Sequence, residues 1–510
     1  MKNRVQLIAY VNRLGGTFAG LRELLAGPLA GLFGGVHVLP FFERIDGADA
    51  GFDPIDHTRV DARLGTWDDV AALAREIDVM ADVIVNHISS RSPQFLDLAE
   101  RGARSRFAGM FLTLDGVFPQ GAAERDLLAI YRPRPGLPFT TLTLKDGTRR
   151  IFWTTFTPEQ IDIDVTHPRG IEYLEEVLRT FGAHGIKMIR LDAIGYAIKN
   201  AGTSCFMLPE TFKFIGELAA RARRHGLEVL VEVHSHYEQQ IEIARHVDWV
   251  YDFALPPLVL HAFSRGTARA LKRWIEIRPR NALTVLDTHD GIGVIDIAAE
   301  HGGKGRPGLV ADDELDRLVE DIHASSRGES ARATGAAASN LDLYQVNCTF
   351  YDALGRDDRK HLLARAIQFF LPGVPQVYYV GLLAGTNDMT LLARTGVGRA
   401  INRHCYTRAE IDEALARPCV QRLFDLIRLR NEHAAFGGTF EIGDSPDDTL
   451  DLTWRRGEDV ARLTVNVATC EHRLEYSSAG RVQRLELGGT PAGSAELRSA
   501  RAAFIGEGLG

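Results

Sequence analysis

Short apolar runs recur along the first three quarters of the chain, at residues 5–9, 35–40, 80–85, 188–191, 228–233, 250–254, 283–286 and 374–380. Several are dominated by Val and Ile, and they are continuous rather than alternating, which predicts parallel strands covered on both faces. Between them the period changes. Residues 67–77, 170–184, 211–225 and 359–370 repeat apolar positions at three- and four-residue spacing, which predicts amphipathic helices. Eight strands with intervening helices predict an α/β fold, a (β/α)8 TIM barrel, over a doubly wound sheet.

Two connections exceed what a barrel loop needs. The segment 88–167 follows the third strand, and 291–356 follows the seventh. Both are expected to hang over the face where the strands end. That leaves 1–87, 168–290 and 357–436 as the three parts of the barrel. From 437 to 510 the texture turns to short runs with polar neighbours, such as 450–454 and 460–465, which predicts a small antiparallel β domain.

One apolar stretch, 24–42, approaches the length of a membrane span with His37 as its sole titratable residue. Gly27, Pro28, Gly31, Gly34, Gly35 and Pro40 would break a single helix there, so it reads as a helix end, a turn and a buried strand. The N-terminus lacks the pattern of a signal peptide, and a cytoplasmic location is expected.

Composition adds exclusions. Lys and Arg number 59 against 67 Asp and Glu, a net charge of −8. This balance disfavours a general nucleic-acid or anionic-membrane binder. The five cysteines form no C-x-x-C pair, so neither a disulfide framework nor a cysteine metal site is expected.

In a barrel, side chains at strand C-termini point into the mouth. The second strand is followed by Asp49-Ala-Gly-Phe-Asp-Pro-Ile-Asp-His57, and the third ends in Asn86-His87. The fourth ends in Arg190-Leu-Asp192, the fifth in Glu232-Val-His234 and the seventh in Asp287-Thr-His-Asp290. Charged groups at the ends of apolar strands are costly unless paired or functional. This collection suits cleavage of an acetal. A retaining glycosyl transfer needs a carboxylate nucleophile and a carboxylic acid about 5–5.5 Å apart. Arg190 stands two residues before Asp192, so both project to one side of the strand. A guanidinium there would keep Asp192 ionised as nucleophile. Glu232 is then the acid/base, and Asp290 the third carboxylate that stabilises an oxocarbenium-like state.

The strings Asp82-Val-Ile-Val-Asn-His87, Ile189-Arg-Leu-Asp-Ala193, Glu232-Val-His234 and Thr288-His-Asp290 resemble the four signature regions of the α-amylase superfamily. Residues 47–57, Ile130-Tyr-Arg-Pro-Arg-Pro-Gly-Leu-Pro138, 201–206, 337–347 and 370–379 resemble the sucrose phosphorylase family within it. The resemblance fades beyond about residue 431. It implies reversible, retaining transfer of a glucosyl unit from sucrose to inorganic phosphate, giving α-glucose 1-phosphate and fructose. It further implies Asp192 as nucleophile, Glu232 as acid/base and Asp290 as stabiliser. Asp49, His87, Arg190, His289 and Arg399 would hold glucose, with Phe52 and Phe156 as apolar walls. The acceptor side is assigned to Tyr131 and Arg134 on one loop and to Asp342, Tyr344 and Gln345 on another, with Tyr196 and His234 added to the substrate-binding set. Arg134 suits a phosphate dianion by charge and forked geometry. No cofactor and no metal are expected, although Asn86 matches a position that helps bind calcium in amylases. The partners expected are the four small molecules of the reaction, with no nucleic acid and no membrane; a homodimer is allowed.

Four alternatives stand beside this reading. An α-glucosidase-like hydrolase would use water as acceptor. A sibling phosphorylase would act on sucrose 6′-phosphate or a glucosylglycerol. A metallohydrolase barrel would use His234 and His236 with His57, His87 and Asp290. A binding module on a dead barrel is disfavoured by the presence of all three carboxylates.

Overall fold

The computed structural model describes residues 1–47, 49–133, 136–300, 305–334, 345–478 and 480–487. Eight parallel strands close into a barrel in chain order: β1 (Gln6–Ala9), β2 (Gly35–Val38), β3 (Asp78–Ile84), β4 (Met188–Asp192), β5 (Glu228–Val231), β6 (Trp249–Asp252), β7 (Ala282–Thr284) and β8 (Val374–Tyr378). Closure is made at β1, where Gln6 lies opposite Gly35 of β2 and Gln376 of β8. β1, β2 and β8 are buried at every position, polar Gln6, His37 and Gln376 included, so both faces of these strands are covered. All eight strands expected from the apolar runs are present, with ends within about two residues.

The outer helices start where the sequence supplies caps. Trp67–Glu76 begins at a capping box in which the Thr66 hydroxyl accepts from Asp69 N–H and the Asp69 carboxylate accepts from Thr66 N–H. Pro168–Ala183 and Pro209–Arg224 each open on a proline, which costs no hydrogen bond in a first turn. The ambiguous stretch after Leu24 resolves into the end of helix Phe18–Ala26, a turn and β2. Among the described residues, no helix is long and apolar enough to cross a membrane.

The long segment after β3 is closed at its base by His87–Ser89 pairing antiparallel with Gln160–Asp162. It carries a hairpin, Phe139–Thr143 with Arg149–Trp153, and a small core of Phe118, Ile130, Trp153 and Cys205. Cys205 comes from the loop after β4, so that loop and the insertion share one core. The segment after β7 is likewise tied by Ile292–Gly293 pairing with Gln345–Val346, and includes helix Asp312–Ser325.

The C-terminal sheet is a five-stranded antiparallel meander, β9 (Thr439–Ile442), β10 (Thr449–Arg456), β11 (Asp459–Asn466), β12 (His472–Ser478) and β13 (Arg481–Arg484). It docks on the barrel through Trp454, whose Nε1 donates to Phe370 O at 2.7 Å. Asn431, on the helix before this sheet, accepts from Val5 N–H at 2.7 Å and donates to Leu32 O at 2.8 Å. The start of β1 is thereby locked to the end of the barrel chain.

Candidate active site

The site grows from the inner face of the barrel. Arg190 is paired in register with Asp82 of β3, and both side chains are buried. Arg190 Nη1 donates to Asp82 Oδ1 at 2.6 Å and to Asp192 Oδ1 at 2.8 Å, and its Nη2 lies 3.7 Å from Glu232 Oε1. One guanidinium thus touches three carboxylates. Behind it, Asp82 Oδ2 lies 3.0 Å from His37 Nε2, and Tyr251 hydroxyl lies 3.3 Å from His37 Nδ1. This polar chain through β2, β3, β4 and β6 holds Arg190 rigidly in the barrel centre. Ala193 adopts a left-handed conformation (φ 54°) and aims its N–H at Glu232 Oε2, 3.4 Å away. Asp192 and Glu232 keep 14% and 12% side-chain exposure, enough to face the mouth.

Opposite them stands Asp290. Its Oδ1 lies 2.7 Å from Arg399 Nη1 and 3.5 Å from Arg403 Nη2. The same two arginines reach Asp49, at 3.7 and 3.5 Å. Arg403 Nε also donates to His289 O at 2.8 Å. His289 stacks flat on Phe52 at 4.7 Å and 5°, and His87 Nε2 lies 2.8 Å from Phe52 O. Phe156 closes against His87 at 5.2 Å. The residues expected to hold glucose are therefore one connected wall.

Replacing Arg403 by methionine should remove about 3–5 kcal/mol of stability, because it takes a cation from the buried carboxylate of Asp290 and from the largely buried one of Asp49. Denaturant unfolding reads this directly. An unchanged midpoint would mean that Arg399 alone compensates both.

Charge sorts these groups. Burial would raise Asp290, but the charges of Arg399 and Arg403 hold its carboxyl well below the usual range, so it stays ionised. Burial likewise opposes ionisation of Asp82, yet His37 and Arg190 bring it down to about 2. His289 is pushed down to about 3, chiefly by burial, and is neutral. Asp192 differs from the sequence-based expectation. Burial, reinforced by Glu232, Asp82 and Asp290, raises its carboxyl well above the usual value against the pull of Arg190. Asp192 and Glu232 are two carboxyls sharing one guanidinium.

On the acceptor side, Tyr131 stacks on Phe206 at 4.3 Å and 14°, and Tyr196 packs against both Phe206 and Phe156. His234 joins Glu232 and Asp290, and Gln345 starts the short strand opposite Gly293. Arg134, Asp342 and Tyr344 lie outside the described residues.

Several residues were not singled out from sequence: His37 and Asp82, which sit within apolar runs; Arg403, in a loop after a 3-10 turn; Phe206; Lys199; and Asp296. Lys199 bears on the calcium question. Its ammonium lies 2.7 Å from Asn86 Oδ1 and 2.8 Å from Asp162 Oδ2, and donates to Tyr196 O. A protein cation thus occupies the oxygen cluster around Asn86. The metallohydrolase set is not assembled. His57 is fully buried, with Tyr173 on Nδ1 and Ile84 N–H on Nε2, and His236 Nε2 turns away to Pro307 O. Glu232, His234 and Asp290 bring ligand atoms within 4.8 Å of one another, a spacing that would suit an ion, but arginines already compensate both carboxylates.

Known proteins resemble this chain over most of its length. The pattern of the α-amylase catalytic domain matches residues 31–246. A sucrose phosphorylase from Agrobacterium vitis is 61% identical over 467 residues, 91% of this chain and 95% of that protein. A sucrose phosphorylase from Bifidobacterium adolescentis is 56% identical, covering 91% of this chain and 92% of its own. Among solved structures, a sucrose 6F-phosphate phosphorylase from Thermoanaerobacter thermosaccharolyticum superposes with a TM-score of 0.88 at 38% identity, over 95% of this chain and 98% of that one.

Proposed function

This chain belongs to the sucrose phosphorylase family, a branch of the α-amylase superfamily, and we propose that it transfers the glucosyl unit of sucrose reversibly to inorganic phosphate by double displacement. The observation that carries the chemistry is the sharing of Arg190 between Asp192, at 2.8 Å, and Glu232, at 3.7 Å. In this reading Asp192, the closer to the guanidinium, is the nucleophile, and Glu232, the farther, is the proton donor. Asp192 attacks the anomeric carbon while Glu232 gives its proton to the departing fructosyl oxygen. Fructose leaves, and glucose stays as an ester on Asp192. Phosphate then attacks the same carbon, its proton passing to Glu232, and the ester bond breaks. Asp290, kept ionised by Arg399 and Arg403, stabilises the positive charge that develops on the sugar ring in both steps. Two inversions restore the configuration.

Identity of 61% and 56% to sucrose phosphorylases, against 38% to the sucrose 6F-phosphate enzyme, favours unphosphorylated sucrose as donor. We assign the phosphate cation to Arg134 on the charge and forked shape of the arginine side chain alone. The test is incubation with sucrose, with and without phosphate, and in parallel with sucrose 6′-phosphate. Fructose and glucose 1-phosphate should appear together from sucrose, only when phosphate is present, and proton NMR should show the first-formed phosphate to be the α-anomer. Free glucose irrespective of phosphate would mean a hydrolase. A β-anomer would mean a single displacement and would remove the nucleophile role from Asp192.

A further inference from the structure

His234 follows Glu232 by two residues at the end of β5, and each of its ring nitrogens faces a carboxylate. Nδ1 lies 2.7 Å from Asp296 Oδ2, and Nε2 lies 3.8 Å from Glu232 Oε1. Phe253 fixes the ring from one face, with centroids 3.9 Å apart at 16°. Asp296 arrives from the short turn Ile295–Ile297 in the segment after β7 and is fully buried. Its second oxygen, Oδ1, accepts from Ser235 N–H at 3.2 Å and from Gln240 Nε2 at 2.8 Å. The backbone makes room for the pair. A Cβ on Gly293 would stand 2.2 Å from Asp296 Oδ2 and 2.9 Å from His234 Nδ1, so only glycine fits there.

Two donors already fix Oδ1 as an acceptor, so Oδ2 faces Nδ1 as an acceptor as well, and the ring hydrogen belongs on Nδ1. We infer that Asp296 is a positioning residue that fixes the hydrogen of His234 on Nδ1 and so lets the ring turn cationic at Nε2, beside Glu232. This rests on the reading of Glu232 as acid/base. Once Glu232 has given its proton to fructose it is an anion, and phosphate brings further negative charge to it. An imidazolium at Nε2 offsets both, whereas a ring neutral with its hydrogen on Nε2 gives one hydrogen bond and no charge. Among the described residues the charged groups facing the ring are Asp296, Glu232 and Asp290. Burial alone would lower His234, but Asp296, then Glu232 and Asp290, raise it overall. Burial also raises Asp296 against the pull of His234, so both shifts keep a proton between Nδ1 and Oδ2.

Asp296→Asn tests this with almost no change of shape. Its amide oxygen must stay on Ser235 and Gln240, so its NH2 turns to Nδ1 and drives the ring hydrogen to Nε2. We expect kcat/KM for phosphorolysis of sucrose to fall about tenfold to a hundredfold. The charge that raises His234 is lost, so the alkaline limb of the pH profile should move to lower pH. Adding Asp296→Asn to His234→Asn should cost little more than His234→Asn alone. Additive losses, or a pH profile unchanged by Asp296→Asn, would overturn the assignment. Should the variant not fold, wild-type protein labelled with 15N-histidine decides the matter. At pH 8 the His234 signal, identified by its loss in His234→Asn, should show Nδ1 protonated, and a bare Nδ1 would refute the proposal. Failure of the broader functional reading shows itself differently, as wild-type protein that forms no glucose 1-phosphate; the ring-nitrogen spectrum then decides the tautomer alone.

Discussion

Asp192→Asn is expected to lower kcat/KM for sucrose by roughly 10⁴- to 10⁶-fold, the loss typical when a covalent nucleophile is removed. The amide is nearly isosteric, and its oxygen can still accept from Arg190 Nη1, which lies 2.8 Å from the native carboxylate. The effect should therefore be chemical rather than structural. Stability gives an independent check. Asp192 is a buried carboxyl crowded by Glu232, Asp82 and Asp290, and burial is the largest cause of its raised pKa. Removing its charge relieves that crowding, so the thermal midpoint should hold or rise while activity vanishes. Retention of more than about one per cent of wild-type turnover would sink the nucleophile assignment, because an amide cannot form the glucosyl ester. A lowered midpoint would show instead that Arg190 needs the Asp192 charge to stay in place.

The barrel was legible because strands buried on both faces are apolar at most positions, and that leaves a nearly continuous mark. The ends were less legible. β3 starts at Asp78, which looks like a loop residue, but its carboxylate accepts from Lys2 N–H at 3.0 Å and so tolerates the strand. The run 228–233 reads as strand to its end, yet β5 stops at Val231, where the chain turns Glu232 and His234 into the mouth. The hairpin Phe139–Thr143 with Arg149–Trp153 left little trace, because most of its side chains are exposed or half-exposed and place few constraints on residue type.

The site divides along the same physical line. Asp192, Glu232, Asp290 and Arg190 could be read from sequence because they stand at strand ends, where a charge breaks an apolar pattern. Asp82 breaks the pattern too, but its role needs Arg190 as partner, and only the register of β3 against β4 brings the two together. Arg403, Lys199 and Asp296 come from irregular segments without periodicity, and each acts through a residue more than fifty positions away in the chain. Sequence spacing carries no information about such pairs.

Glu232→Gln should split the two donors apart. With sucrose, whose fructosyl oxygen leaves poorly as an anion, loss of the proton donor should cost roughly 10²- to 10⁴-fold in kcat/KM. With α-glucosyl fluoride, whose leaving group needs little protonation, formation of the glucosyl-enzyme should survive within about tenfold. The glutamine keeps an oxygen for Ala193 N–H, 3.4 Å from the native carboxylate, so the mouth should retain its shape. Equal losses on both donors would undo the acid/base role of Glu232.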